Sequence, residues 1–323
     1  MFRSINDEFL IRNNISGELL KKCYTFIENQ RLINNQIILK NFKKNDVHSI
    51  VFPFNISEIE VDIVIKTKFN KGEKFINLTK SLIFHEYKNS GLSIDKINKF
   101  KLHNIKFFPQ TYLSENLIFQ NLAKGIYFRP NKLSDFNENM LQNVAKVINV
   151  FSSLKKKKTV ASSYICDLKL LKVRDSLNFK IINNFCTIIK KYKDEEIVST
   201  LTHGDFKFEH LFTIDNEIEY LIDWENVGLR TIFFDLMNFF IPWFVFRSYK
   251  YVQIKNFIYQ FIKEHLPHMM SFIKDKYDLY FSIFAIERYS RINEKKNFEF
   301  DKNEAYKRYN QLFKNLSNEL EHK

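Results

Sequence analysis

Two acidic side chains stand at the ends of strand-like runs, where functional sites are commonly built. Asp205 lies in THGDFKFEH (202–210), on a polar turn after a β-rich run, and Asp223 ends the apolar run of LIDWE (221–225). A predicted hairpin fills the eighteen-residue separation between the two. We therefore expect the hairpin to return both carboxylates to one cleft.

Such a pair of carboxylates suits phosphoryl transfer, in which the protein mainly positions the reactants. One carboxylate orients the attacking hydroxyl and accepts its proton, while another holds a divalent cation that bridges the nucleotide phosphates. Asp205 suits the first task and Asp223 the second. Because Mg²⁺ prefers oxygen ligands and retains several waters, one firm carboxylate and one supporting ligand suffice. An ordinary turn or cap at Asp223 is the alternative interpretation.

The sequence HGDFKFEH followed by IDWE resembles the signature shared by aminoglycoside phosphotransferases and choline/ethanolamine kinases. The resemblance covers Thr202 to Phe240, which is the catalytic core and not the whole chain. It implies an α+β, protein-kinase-like two-lobe fold, with a small antiparallel β-sheet N-lobe and a larger, mainly helical C-lobe. It also implies ATP and Mg²⁺ as cofactors, Asp205 as catalytic base, His203 as support of the loop and Asp223 as the main magnesium ligand.

The resemblance continues through DWENVGLRTIFFDLMNFF (223–240). Glu225 falls where choline kinases carry an acidic residue, and Asp235 and Asn238 fall where they carry an Asp-x-x-Asn element. Lys207, inside the catalytic motif itself, is a further candidate site residue. The joint spacing of these elements favours a kinase-like fold more strongly than the short HGD pattern does alone.

Two features depart from the signature. His210 stands where the family has a metal-binding Asn. Imidazole is a softer ligand than an amide oxygen, so we predict that His210 belongs to the metal site but lies near the cation without ligating it directly. In addition, no glycine occurs between Gly17 and Gly72, the span in which a phosphate-covering loop is expected. The turn at residues 43–46 would have to cover the phosphates instead.

In the small lobe, the resemblance implies a strand lysine that binds the nucleotide phosphates and a helical glutamate that positions this lysine. Lys66 ends the β-branched run VDIVIK and is the candidate for the first role, and Glu86 is the candidate for the second. Lys68 and Glu73 are the available alternatives. A strand-end lysine without a role is also possible.

Residues 1–122 form the predicted N-terminal lobe with the nucleotide-binding sheet. Its predicted elements are strands within 37–42, 48–54 and 61–69, a helix over Phe75–Tyr87, and two extended runs at Lys106–Tyr112 and Asn116–Gln120. By analogy with the family, Gln120 and Leu122 belong to a hinge that contacts adenine through backbone groups.

Residues 123–323 form the predicted C-terminal lobe, which carries the catalytic loop and the acceptor site. Apolar residues recur at helical intervals from Met140 to Phe151, from Leu177 to Ile189 and after Tyr251, with a break at Pro267. Strands return between Val198 and Asp223. The apolar segment Thr231–Phe246 contains Asp235 and is shorter than a membrane span, so we predict a buried helix.

Composition is that of a folded protein with a basic surface. The 323 residues carry a formal charge of +13, and the three cysteines show no CxxC spacing, which favours a reducing, cytoplasmic setting. Because the most apolar segment is too short to span a bilayer, no membrane insertion is predicted. The run Lys155–Lys158 is predicted to be a solvated loop. The positive net charge is the only feature that suggests nucleic-acid binding, so no specific nucleic-acid partner is predicted. The sequence gives no prediction of oligomeric state.

The acceptor is predicted to be a small hydroxyl compound: a sugar, an amino-sugar or an amino alcohol. The aromatic stripe of Tyr277–Tyr289 is interpreted as core in preference to a cation cage. Glu287 and Arg288 in the same segment suit a polar acceptor. The net charge disfavours polycationic aminoglycosides. The alternative function is a pseudokinase-like binding module without transfer activity, motivated by His210 and the missing glycines.

Overall fold

The computed structural model describes residues 2–6, 9–12, 15, 17–31, 47–48, 61–66, 73–86, 105–114, 117–123, 126–127, 130–154, 156–167, 176–293, 311 and 314. They belong to two compact units: Met1–Phe128 with Leu211–Glu225, and Arg129–His210 with Asn226–Lys323. The predicted division between residues 122 and 123 did not anticipate that the hairpin 211–225 belongs to the first unit.

The strands, in chain order, are β1 (Phe2–Asn6), β2 (Phe9–Arg12), β3 (Val47–His48), β4 (Ile63–Lys66), β5 (Glu73–Asn77), β6 (Leu82–Glu86), β7 (Thr111–Ser114), β8 (Leu117–Asn121), β9 (Ile126–Tyr127), β10 (Lys157–Val160), β11 (Glu196–Thr202), β12 (Leu211–Ile214), β13 (Glu217–Leu221) and β14 (Gly228–Thr231).

The helices are α1 (Gly17–Arg31), α2 (Glu138–Ser153), α3 (Ala161–Asp167), α4 (Ser176–Lys191), α5 (Phe234–Phe246), α6 (Tyr251–His265), α7 (Met270–Ile273) and α8 (Tyr277–Asn293). Within the described ranges, no helix combines the length and apolar character that crossing a membrane requires.

In its described part, the first unit holds an eight-stranded antiparallel sheet in the order β3-β1-β2-β4-β5-β6-β8-β7. Phe75, Phe84 and Phe119 are register partners on three neighbouring strands, and their rings stack at centroid distances of 5.5 and 5.3 Å. This aromatic ladder stabilises the sheet through cross-strand pairs. Helix α1 packs against the sheet through the buried Cys23.

The predicted helix over Phe75–Tyr87 is wrong, because β5 and β6 form a hairpin there. The turn at residues 78–81 separates the two strands. As a result, the apolar residues of the whole segment are spaced as in a helix by coincidence. Side-chain oxygens stabilise the turn: Asp62 accepts from the N–H of Leu78 at 2.8 Å, and Asn77 accepts from that of Lys80 at 2.6 Å. The strand predicted within 61–69 is confirmed by β4.

A second sheet of the same unit has the order β13-β12-β9 among the described strands. Asp215 and Asn216 join β12 to β13 with φ angles of 49° and 66°, the two left-handed residues that suit a tight hairpin. The backbone N–H of Leu221 donates to the carbonyl of Phe107 at 2.9 Å, and Trp224 packs edge-on against Phe108. These contacts tie the end of β13 to the rest of the first unit.

In the second unit, the predicted helical segments are confirmed by α2, α4 and α6, and the break at Pro267 is a short 3-10 helix. The predicted buried helix is confirmed by α5, whereas Thr231 ends strand β14. Lys157 and Lys158 are exposed but lie in β10, so the solvated-loop prediction is wrong for these two residues. Their strand pairs with β11, a contact that a charge run does not reveal.

The core of the second unit is rich in aromatic side chains. Phe239 on α5 packs against Phe206 and Phe208, with ring centroids 4.5 and 4.2 Å apart. On α8, Tyr277, Tyr280, Phe281 and Phe284 are almost fully buried, which confirms the core interpretation for these four residues, and the side chain of Tyr289 lies outside the described part. The loop that follows β11 is thereby anchored on a packed aromatic layer.

Candidate functional site

The loop after β11 depends on a glycine. Gly204 has a φ of 79°, a left-handed conformation that costs other residues energy. A Cβ atom at this position would also clash with the backbone carbonyl of Asn226 and the guanidinium of Arg230. The HGD sequence therefore needs glycine at its centre for steric reasons.

Asp235, in the first turn of α5, holds this loop through hydrogen bonds to its carboxylate. Its two carboxylate oxygens accept the backbone N–H groups of His203 at 2.6 Å and Gly204 at 2.8 Å, and the side chain is 2% exposed. A carboxylate in the first turn of a helix also interacts favourably with the helix dipole. Asn238, one turn later, donates to the carbonyl of Phe206 at 2.9 Å. The predicted Asp-x-x-Asn element thus holds the HGD loop from within the second unit.

Two histidines, in opposite tautomers, form hydrogen bonds with the backbone of Asp205. The N–H of Asp205 points to Nδ1 of His203 at 3.3 Å, so that ring nitrogen acts as an acceptor. The carbonyl of Asp205 can only accept, so Nδ1 of His210, 2.8 Å away, donates to it. Both imidazoles are buried. The predicted supporting role of His203 agrees with this arrangement, and any metal contact of His210 would have to use Nε2.

The carboxylate of Asp205 remains 20% exposed and has cationic groups on both oxygens. Lys207 Nζ lies 3.4 Å from Oδ2, and His210 Nδ1 lies 4.0 Å from the same oxygen. Arg288, which α8 contributes, places NH1 3.9 Å from Oδ1. Lys207 is also 3.5 Å from the carboxylate of Glu209. The predicted residues His203, Asp205, Lys207, His210 and Asp235 therefore share one site in the second unit.

Asp223 belongs to the first unit, directly after β13. Its φ of 62° is left-handed, which is uncommon for residues other than glycine and is found often at functional sites. Its carboxylate is about a third exposed, and Oδ1 lies 3.2 Å from Nζ of Lys74 on β5. The indole N–H of Trp224 donates to the carbonyl of Leu221 and closes the turn. Glu225 continues this turn in a 3-10 helix, and its side chain is outside the described part.

Sequence reasoning missed Lys74. The predicted phosphate lysine, Lys66, ends β4, and the predicted helical Glu86 ends β6, so Glu86 lies on a strand. The side chains of both residues are outside the described part. Lys74 lies beside Phe75 of the aromatic ladder and, by strand alternation, on the opposite face of β5. This alternation is the signal that could have singled out Lys74.

The predicted hinge residues lie at the end of β8. Gln120 donates from its amide to the hydroxyl of Thr111 at 3.1 Å, and the backbone N–H of Leu122 donates to the carbonyl of Ser81 at 2.8 Å. The N–H of Leu122 is therefore already engaged. Adenine contact by these residues stays a prediction.

Glu287, one residue before Arg288, is buried, so its predicted contact with an acceptor is wrong. It accepts from the hydroxyl of Tyr164, and the hydroxyl of Thr231 lies 3.3 Å from its second oxygen. Burial raises the pKa of Glu287 to about 7, although hydrogen bonds from Tyr164 and the charge of Arg230 oppose the shift. Burial also raises the pKa of Tyr164, and the adjacent Glu287 adds to this effect.

Among the described residues, no three His, Cys, Asp or Glu side chains form a cluster that could hold a metal ion. Such a cluster is not needed by Mg²⁺, which binds through one or two carboxylates together with phosphate oxygens and water. The partly exposed carboxylate of Asp223 provides a hard oxygen ligand of this kind. The donor set therefore fits a cation that arrives with a nucleotide better than a resident metal centre.

No family model matches the chain, and no curated protein matches its sequence significantly. Solved structures do match its fold. Choline kinase LicA from Streptococcus pneumoniae superposes with a TM-score of 0.53 at 14% identity, and the match covers 78% of this chain and 92% of the choline kinase. Aminoglycoside 2'-phosphotransferase-IIIa, solved as its GDP complex, gives a TM-score of 0.53 at 11% identity and covers 82% and 95%. The chain thus has the kinase-like fold of these enzymes, which confirms the predicted fold class.

Proposed function

We propose that this protein is an ATP-dependent phosphotransferase that acts on a hydroxyl group of a small molecule. The observation that carries the proposal is the fixed backbone of Asp205. Asp235 holds the residues before it, and His203 and His210 hold its own N–H and carbonyl, while its carboxylate stays partly open to solvent. The fold shared with a choline kinase and an aminoglycoside phosphotransferase supports the same class of reaction.

In the proposed reaction, Asp205 accepts the proton of the acceptor hydroxyl. The hydroxyl oxygen forms a bond to the terminal phosphorus of the nucleotide, and the bond to the leaving diphosphate breaks. Since the loop is fixed before substrate binds, little reorganisation is required when the hydroxyl arrives. Lys207 and Arg288 flank the carboxylate, with Lys207 Nζ 3.4 Å from Oδ2 and Arg288 NH1 3.9 Å from Oδ1.

We assign cation and phosphate binding to the first unit. Asp223 would hold Mg²⁺, which when bound neutralises the charge that develops on the nucleotide phosphates. Lys74, whose ammonium group already lies at this carboxylate, would contact a phosphate oxygen. Lys66, Glu86, Gln120 and Leu122 remain proposed nucleotide-binding residues, and Glu225 remains a proposed accessory acid.

The direct test is nucleotide consumption in the presence of sugars, amino-sugars, amino alcohols and aminoglycosides, with both ATP and GTP. GTP is included because the similar aminoglycoside phosphotransferase was solved with GDP. Asp205→Asn should lower kcat by about 10²- to 10⁴-fold while Mg-ATP affinity is retained. Asp194→Asn, an exposed acid in the same unit, is the matched control. Unchanged turnover in Asp205→Asn would refute the assigned base.

A binding module without transfer activity is the second candidate. It is favoured by His210, whose Nδ1 is engaged with the backbone and whose side chain is buried where the related signature carries a metal-binding Asn. Calorimetry with ATP and Mg²⁺ distinguishes the two functions. An enzyme requires metal-dependent nucleotide binding and turnover, whereas nucleotide or acceptor binding without any turnover would favour the module.

A further inference from the structure

Arg230, a half-buried residue of β14, lies against the loop that carries Asp205. Its NH1 group donates to the hydroxyl of Thr202, the last residue of β11, at 2.9 Å. We propose that Arg230 is a positioning residue, which holds the HGD loop (residues 203–205) in the conformation that phosphoryl transfer requires. This inference rests on the proposed function and adds to it a residue that the sequence motifs did not single out.

Hydrogen bonds connect Arg230 to the start of the loop. The hydroxyl of Thr202 accepts from Arg230 and itself donates to the carbonyl of Gly228 at 3.0 Å. Thr202 and Gly228 are register partners on β11 and β14, and Arg230 pairs with Thr200 on the same two strands. The side chain of Thr202 is buried. The guanidinium therefore completes a hydrogen-bonded link at the point where β11 ends and the loop begins.

The guanidinium also occupies the space beside the central glycine of the loop. A Cβ atom built on Gly204 would lie 2.5 Å from NH1 of Arg230, and one built on Gly228 would lie 3.4 Å from the same nitrogen. The carbon at the centre of the guanidinium is 5.0 Å from the ring centre of Phe234, a distance typical of a cation–π contact. Arg230 is thus itself held in place by an aromatic ring at the start of α5.

The conformation of Gly204 explains why such packing is needed. Glycine adopts several regions of φ at similar energy, so a left-handed glycine does not by itself keep a loop in one conformation. The carboxylate of Asp235 holds the N–H groups of His203 and Gly204. Arg230 adds a contact to the residue before them and limits the space into which Gly204 could move. Without Arg230, we expect the loop to sample other conformations, in which Asp205 is misplaced.

The positive charge of Arg230 is compensated within the second unit, which matters for the test. Burial raises the pKa of Glu287, and the charge of Arg230 opposes this increase. Removal of Arg230 alone would therefore leave a buried carboxyl without its cation, and this is destabilising in its own right. The variant Arg230→Met combined with Glu287→Gln removes both charges. It separates the loss of the loop contact from the loss of charge compensation.

Hydrogen exchange, measured by mass spectrometry, reports how firmly the loop is held and requires no acceptor. In Arg230→Met, the backbone amides of residues 202–208 should exchange faster, relative to those of α6, by about tenfold or more, as expected when a charge-assisted hydrogen bond is lost. Arg247→Met is the matched control. Arg247 also stacks on an aromatic ring, that of Trp243, and donates to the carbonyl of Pro130. Its substitution should leave exchange in the loop unchanged.

Turnover is the second measurement, with an acceptor found in the nucleotide-consumption screen or with water as acceptor in Mg-ATP hydrolysis. Arg230→Met should lower kcat by about 10- to 100-fold, the cost of misplacing a reacting group by about 1 Å, and leave the KM for Mg-ATP nearly unchanged. The double variant with Glu287→Gln should be as slow as Arg230→Met. Thr202→Val removes the hydroxyl that accepts from Arg230 and keeps the shape of the side chain, so it replaces Arg230→Met if that variant does not fold.

The two measurements separate this inference from the proposed function. Faster loop exchange together with a lower kcat would support the inference. Faster loop exchange in a protein whose wild type shows no turnover would support the role of Arg230 in the loop while the phosphotransferase proposal fails. With an active wild type, unchanged loop exchange, an unchanged kcat, or a kcat that Glu287→Gln restores in the double variant would overturn the inference and leave the phosphotransferase proposal intact.

Discussion

The ammonium group of Lys74 lies 3.2 Å from Oδ1 of Asp223, although 149 residues separate the two in sequence. Both residues belong to the first unit, where β5 and the end of β13 bring them together. The pair is partly exposed, so the ion pair alone contributes little to stability. The ion pair instead holds the ammonium group of Lys74 beside the carboxylate of Asp223, to which we assign the metal ion of the nucleotide.

Lys74→Gln should weaken Mg-ATP binding. If the ammonium group contacts a phosphate, its loss removes one charge-assisted hydrogen bond, which corresponds to an increase in Kd of about 10- to 100-fold. Calorimetric titration with Mg-ATP measures this change. Lys22→Gln, an exposed lysine of α1 in the same unit, serves as the control and should bind Mg-ATP normally. An unchanged Kd in Lys74→Gln would exclude a phosphate contact of this lysine.

Asp223→Asn should remove the metal dependence of nucleotide binding. Asparagine tolerates the left-handed φ of 62°, so the substitution removes charge without straining the turn. We expect ATP affinity, measured over a series of Mg²⁺ concentrations, to lose at least about tenfold of its enhancement by metal. Asp215→Asn is a matched control, because Asp215 is exposed at the tip of the same hairpin and also left-handed. Equal metal dependence in both variants would contradict the assignment of Asp223.

The loop that carries Asp205 could be predicted from sequence because most of its contacts are encoded at short range. His203, Asp205 and His210 lie within one motif, and Asp235 follows at a spacing that the family signature includes. The structure brings these residues together as that signature implies. The prediction that the hairpin returns Asp205 and Asp223 to one cleft stays a prediction, since the two residues belong to different compact units.

The residues that sequence reasoning missed or misplaced depend on long-range contacts. Strand alternation places Lys74 on the face of β5 opposite to Phe75, but its partner Asp223 is 149 residues away and no local pattern indicates that contact. Arg288 and Glu287 are adjacent in sequence, yet one reaches Asp205 and the other is buried. Only the rotation of α8 against its neighbours decides which of the two is exposed. The wrong helix at Phe75–Tyr87 has a different cause, a turn that imitates helical spacing.

Gly204→Ala should destabilise the second unit and inactivate the loop. A left-handed φ of 79° costs a residue with a Cβ atom about 1–3 kcal/mol, and the clash with Asn226 and Arg230 adds to this cost. Urea unfolding measures the loss. Gly17→Ala is the control, because in the part of the chain that the structure describes no residue outside its own helix turn comes within 4 Å of the added Cβ, and the position begins α1. Equal unfolding free energies for the two variants would show that the loop adopts another conformation.

Glu287 should make the stability of the protein depend on pH. Its pKa rises from an ordinary 4.5 to about 7 on folding, so the folded state binds a proton more tightly than the unfolded state. The stabilisation by the protonated carboxyl is complete below about pH 4.5 and is lost as the pH rises through about 7. The total change is about 3 kcal/mol, given 1.36 kcal/mol for each pKa unit.

Urea unfolding of the wild type and of Glu287→Gln, between pH 5 and pH 8, measures this effect. Glutamine can accept one of the hydroxyls of Tyr164 and Thr231 through its carbonyl oxygen and donate to the oxygen of the other through its NH2 group, but it does not ionise, so the variant should lack the decline. Relative to Glu287→Gln, the wild type should therefore lose stability as the pH increases. Glu264→Gln, an exposed acid on α6, controls for general charge effects and should follow the wild type. Parallel curves for the wild type and Glu287→Gln would mean that the carboxyl does not titrate in this range, as would be the case if the positive charge of Arg230 kept it ionised despite its burial.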